Sequence, residues 1–123
     1  MEESKGNRLL KQIKDLAEVA GIKTEEYARV SRKRLDVLSL DRELGKEKGD
    51  LGNRVYELAH HEGPVDILQD VTVKACIARI EKLEASLAEC EQEIQRIRET
   101  SQGKTSEARQ RQAGAKPQPP AGG

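Results

Sequence analysis

The stretch VTVKACIARIEKLEASLAECEQEIQRI, residues 71–97, places Val73, Cys76, Ile80, Leu83, Leu87, Cys90, Ile94 and Ile97 at alternating steps of three and four. That alternation keeps the apolar side chains on one stripe of an α-helix, and its strict heptad form is the seam of a coiled coil. Val73, Ile80, Leu87 and Ile94 take the a positions; Cys76, Leu83, Cys90 and Ile97 take the d positions. Asp70 or Thr72 is placed to cap the helix, which is predicted over 71–99. A helix with one apolar stripe needs a partner to cover it.

The partner lies upstream. Val30, Val37, Leu44, Leu51 and Leu58 recur at strict sevens, with Leu40 and Val55 beside them, although Arg34, Glu47 and Lys48 interrupt the second row. This predicts a long helix over 24–61, with Thr24 as its N-cap. Gly63-Pro64 then ends it, because Gly accepts the left-handed C-cap conformation and Pro cannot continue the hydrogen-bond ladder. A break between two apolar seams favours antiparallel neighbours, so residues 24–99 are predicted to form a helical hairpin with its turn over 62–70. A turn centred near residue 66 sets Cys76 beside Tyr56 and sets Leu83 and Leu87 beside the Gly45 to Gly52 stretch.

Two flanking segments complete the organisation. Residues 1–23 read as a short amphipathic helix carrying Leu9, Leu10, Ile13, Leu16, Ala17 and Ala20, stopped by Gly21. Residues 100–123 contain no Leu, Ile, Val, Phe or Tyr and include Pro117, Pro119 and Pro120, so nothing there offsets the entropy of ordering. The expectation for them is a disordered, basic tail. The predicted fold class is therefore all-α: an antiparallel helical hairpin or coiled coil with a short N-terminal amphipathic helix and a disordered C-terminal tail.

Composition agrees with this architecture. Of 123 residues, 35% are hydrophobic and 36% charged, while aromatics reach 2%, too few for a thick sandwich or doubly wound core. The formal net charge is zero, from 22 basic and 22 acidic residues. No apolar run approaches the roughly 20 residues of a membrane span. Met1-Glu2-Glu3-Ser4 lacks the basic and apolar start of a secretory leader, which makes the cytoplasm the expected location.

Chemistry is hard to assemble from these residues. His60 and His61 are the only histidines, and adjacent helical positions diverge by about 100°, so they cannot act as a zinc-binding pair. Cys76 and Cys90 lie fourteen residues apart, or roughly 21 Å along one helix, beyond disulfide reach. Arg29, Arg32, Lys33 and Arg34 spread around the helix axis without aromatic platforms, which argues against nucleic acid. Gly45, Gly49 and Gly52 mark either close approach of another helix or a kink. The expectation is a protein that is not an enzyme, with no cofactor and no metal.

Interaction is what remains. Leu35 and Leu38 broaden the apolar face of the long helix, and with Ile77 they are candidates for an outer contact. A homodimer would bury them, and a fold-back of residues 4–20 is the competing cover. The primary functional reading is a non-catalytic coiled-coil scaffold or adaptor for a further protein, itself a homo-oligomer. The alternative is a peripheral membrane-surface protein held through Lys5, Arg8, Lys11 and Lys14 beside the apolar face of the first helix. Asp15 and Glu18 count against it.

The segments Lys33-Arg34-Leu35-Asp36-Val37-Leu38-Ser39-Leu40 and Leu51-Gly52-Asn53-Arg54-Val55-Tyr56-Glu57-Leu58 resemble small uncharacterised bacterial helical-hairpin proteins. The resemblance spans about residues 8–99 and implies the hairpin architecture and a bacterial cytosolic setting. Gly45, Gly49 and the Pro-rich tail depart from that pattern.

Overall fold

The computed structural model describes residues 2–114, with side chains from residue 5 onward. Helix α1 spans Glu2–Ala59, a single 3-10 turn follows at Ile67–Gln69, and helix α2 spans Val71–Gly114. The two helices pack against each other as a helical hairpin, and no strand occurs among the described residues.

Both helices are longer than their sequence signals. Residues 1–23 are not a separate helix: α1 runs unbroken through Gly21, whose Cα faces open space. A glycine in a helix interior costs about 1 kcal/mol relative to Ala, which weakens a helix without ending it. Thr24 is not an N-cap. Its hydroxyl donates back to the Ala20 carbonyl at 2.8 Å, a bond available only to a residue already inside a helix. Residues 4–20 are thereby continuous with the long helix rather than folded back on it.

The expected disordered tail is helical over residues 100–114, while residues 115–123 lie outside the described residues. The reason is visible in the burial pattern. Ser101, Thr105 and Ala108 are buried at 5%, 5% and 0% exposure, and Gln112 is half-buried. Small side chains continue the inner stripe where large aliphatic ones are lacking.

The chain divides into two compact units. In the first, which joins residues up to Ser31 with those from Gln95 onward, the inner positions of α1 are Asp15, Glu18, Val19, Ile22, Glu26 and Val30. Those of α2 are Ile97, Ser101, Thr105, Ala108 and Gln112. Steps of four follow one another at Ile22-Glu26-Val30 and again at Ile97-Ser101-Thr105. Such a stutter locally unwinds a coiled coil, and here both helices carry it in the same unit. A cavity of about 10 Å³ lies there, between the Ile22 to Arg29 turns and the Ile97 to Lys104 turns.

The second unit, Arg32–Ile94, contains the turn. Gly63 adopts φ +94°, the left-handed conformation that only glycine takes without strain. Glu47 pairs with Arg79 and Lys33 with Glu93, each pair placing equal lengths of chain on either side of Gly63. The reversal is therefore at Gly63, not near residue 66. Residues 64–70 already run back along the last turns of α1, where Asp70 meets Arg54. This register carries Leu83 to Leu40 and Glu43 and Leu87 to about residue 39, rather than to the Gly45 to Gly52 stretch, and by the same pairing it carries Cys76 away from Tyr56 to about residue 50.

Candidate functional site

Helix α1 has an inner face, which meets α2, and an outer face. Of the seam positions, Val30, Leu58, Val73 and Cys76 are buried. Val37, Leu44, Leu51, Ile80, Leu83, Leu87, Cys90, Ile94 and Ile97 are half-buried. The second row of α1, one step from each member of the first, reads Lys33, Leu40, Glu47 and Arg54, all half-buried. Three of these four are charged, and each finds a charge on the returning chain. Lys33 donates to Glu93, which holds its ammonium pKa above the ordinary value through that hydrogen bond and the carboxylate charge. Arg79 Nε donates to Glu47 Oε2 at 2.9 Å, and its Nη2 lies 3.6 Å from Cys76 Sγ.

The third pair closes the hairpin. Arg54 grips Asp70 with two parallel bonds, Nε to Oδ2 at 3.0 Å and Nη2 to Oδ1 at 2.8 Å. Asp70 Oδ2 also accepts the Val73 backbone N–H at 3.0 Å, so the same carboxylate is the N-cap of α2. The Arg54 guanidinium first, and the Val73 N–H second, lower the Asp70 carboxyl from its ordinary 3.8 to about 2. On the other side of the turn, His60 Nδ1 bonds the Tyr56 carbonyl at 2.9 Å, satisfying one of the orphan acceptors at the end of α1. Sequence reading placed Glu47 as an interruption and overlooked Lys33 and Arg54 as seam members. Their spacing of seven with Leu40 was the available signal.

The outer face of α1 is unlike that of α2. In the Arg32–Ile94 unit, Leu35 and Leu38 are 66% and 56% exposed, and Tyr56 lies on the same face. Helical spacing sets Leu35 and Tyr56 about 180° from the seam and Leu38 about 130° from it. Gly45, Gly49 and Gly52 share that face, and a Cβ at any of them would meet nothing within 4 Å. No helix among the described residues approaches them. The opposite face of α2 in this unit carries Val71 at the first residue of the helix, 81% exposed, and beyond it only Ala78, Glu81, Ala85, Ala88 and Gln92. Ile77 is half-buried at the flank of the seam rather than outward.

Comparison of the chain with family models, with characterised proteins and with solved structures finds no match.

In the other unit, Leu9, Leu10, Ile13 and Leu16 are 57–71% exposed, all on the side of α1 turned away from α2. No group of three His, Cys, Asp or Glu side chains among the described residues is placed to hold a metal ion. No helix among them is long and apolar enough to cross a membrane.

Proposed function

We propose that this protein is a non-catalytic helical-hairpin scaffold that associates with a second copy through the outward face of α1 at Leu35 and Leu38, and presents the paired hairpins to a further protein. The observation that supports it is the asymmetry of the two helices. One buries its only apolar stripe within the hairpin, while the other retains a second stripe on its far side, with Tyr56 and three side-chain-free glycines beside it. Covering Leu35 and Leu38 in both copies is worth on the order of 6 kcal/mol. That is comparable to the cost of immobilising two molecules, so the association is weak and concentration-dependent.

Light scattering across a dilution series tests the reading. The expected result is a mass that falls from dimer to monomer on dilution, and a monomer at all concentrations for Leu35→Glu with Leu38→Glu. Circular dichroism of that variant should match the parent, since neither residue touches the seam. A parent chain that is monomeric at high micromolar concentration refutes the proposal.

A further inference from the structure

We propose that the outward face of residues 5–23 is a docking surface for an anionic lipid bilayer. The inference is independent of the self-association proposed above, which uses a different part of α1.

At about 100° per residue, Gly6, Leu9, Leu10, Ile13, Leu16, Ala17 and Ala20 fall within one sector of about 120°. It contains no polar side chain over four turns. Its borders are lysines: Lys5 and Lys23 along one edge and Lys14 along the other, all exposed. Lys23 shares its charge with Glu26 at 3.7 Å, and Glu25 follows, so the basic border ends there.

The acids within this stretch, which seemed to oppose lipid binding, are turned the other way. Glu18 Oε1 accepts from Arg111 Nη2 at 2.6 Å, and Asp15 is half-buried on the same side, where its backbone carbonyl accepts from Gln112 Nε2 at 3.1 Å. Both acids belong to the inner side of α1, about 160° and 140° from the centre of the apolar sector. Arg8 and Lys11 fall on that inner side as well, so the outward strip is bordered by Lys5, Lys14 and Lys23 alone. What faces outward is an aliphatic strip with lysine borders, and what faces inward takes the carboxylates.

The kind of partner follows from the composition of this strip. Protein interfaces are depleted in Lys and draw their strongest contacts from Trp, Tyr and Arg. This sector holds only aliphatic side chains and glycine, and its borders are Lys. Lysine stems can lie along the acyl boundary while their ammonium groups reach the headgroups, which is the arrangement of helices that lie in the membrane plane. A bilayer also demands no directional hydrogen bonds, and the strip offers none.

Co-sedimentation of the full chain with phosphatidylserine–phosphatidylcholine vesicles, and with phosphatidylcholine alone, tests this. The chain should pellet with the anionic vesicles, be released by high salt, and stay in solution with the neutral ones. Leu9→Gln with Ile13→Gln should abolish pelleting. Lys5→Gln and Lys14→Gln should each weaken it by about fivefold, since a lysine near an anionic surface contributes roughly a factor of that size. Circular dichroism confirms that each variant keeps its helicity, and the lysine variants report even if the apolar one loses it. Failure of the parent chain to pellet, or pelleting that Leu9→Gln with Ile13→Gln leaves intact, overturns the proposal. So does a dimer that depends on Leu9 and Ile13 while vesicles are ignored, because a second copy would then own this face. Leu35 and Leu38 are untouched throughout, which keeps this outcome separate from that of the scaffold reading.

Discussion

Cutting the chain after Glu99 should release far more than the residues it removes. In the unit that joins residues up to Ser31 with those from Gln95 onward, Val19 and Ile22 are half-buried, while Val30, 8% exposed, lies by the pairing register opposite the Ile97 turn, which truncation leaves in place. Truncation takes away Ser101, Thr105, Ala108 and Gln112 from the facing helix. Full burial of an aliphatic side chain is worth about 2 kcal/mol, so the two partial exposures at Val19 and Ile22 forfeit about 2 kcal/mol as an upper bound. An isolated helix segment is marginal in water, so the N-terminal part of α1 should fray once its partner is gone. Amide hydrogen exchange reads this directly: about 2 kcal/mol corresponds to about one and a half decades of protection, to be lost over residues 15–26 and retained over 37–58. Protection over 15–26 that survives truncation would refute the conclusion that small side chains at Ser101, Thr105 and Ala108 hold the helices together.

Three further outcomes are expected. Asp70→Asn keeps an N-cap of equal quality but loses the charge that Arg54 grips. The Asp70 carboxyl is lowered on folding, so its contribution is complete above the ordinary 3.8 and disappears as pH falls toward about 2. Thermal melts should show a parent-to-variant gap at pH 6 that closes between those values, and a gap constant with pH would refute the assignment. Gly45→Ala, Gly49→Ala and Gly52→Ala each add a methyl into open space on a helix, and each should raise stability in urea titrations by roughly 0.5–1 kcal/mol. Val73→Ala, at a position 1% exposed, should cost about 2 kcal/mol in the same titration, whereas Val71→Ala, at 81% exposure, should cost nearly nothing.

The hairpin was legible because Val73 to Ile97 announces its helical face by spacing alone, and because Gly63-Pro64 breaks the chain where no tertiary contact is needed to see it. The full extent of the helices was not. Ser101, Thr105 and Ala108 are buried residues without hydrophobic character, and a reading that looks for Leu and Ile passes over them. Gly21 resembles a stop only when its cost of about 1 kcal/mol is weighed without the partner that covers Val19 and Ile22. The register was hidden for a related reason. Lys33, Glu47 and Arg54 look like flaws in an apolar row until Glu93, Arg79 and Asp70 are brought opposite them, and that opposition is a property of the folded pair rather than of either helix. On the outward side, the sequence showed Leu35, Leu38, Leu9 and Ile13 as apolar. Only the packing of Glu18 and Asp15 toward α2 revealed which charges accompany them.

The charged row of α1 also sorts correct from incorrect alignments. Sliding one helix past the other by a heptad leaves the apolar stripes matched, so burial alone scarcely distinguishes the two. It does not leave the ions matched: Lys33 would then face Ser86 and Glu47 would face Thr72, each a half-buried charge with no opposite partner. The three pairs work as a key cut into an otherwise repetitive zipper. Salt, which screens them, should make the hairpin less discriminating before it makes it less helical.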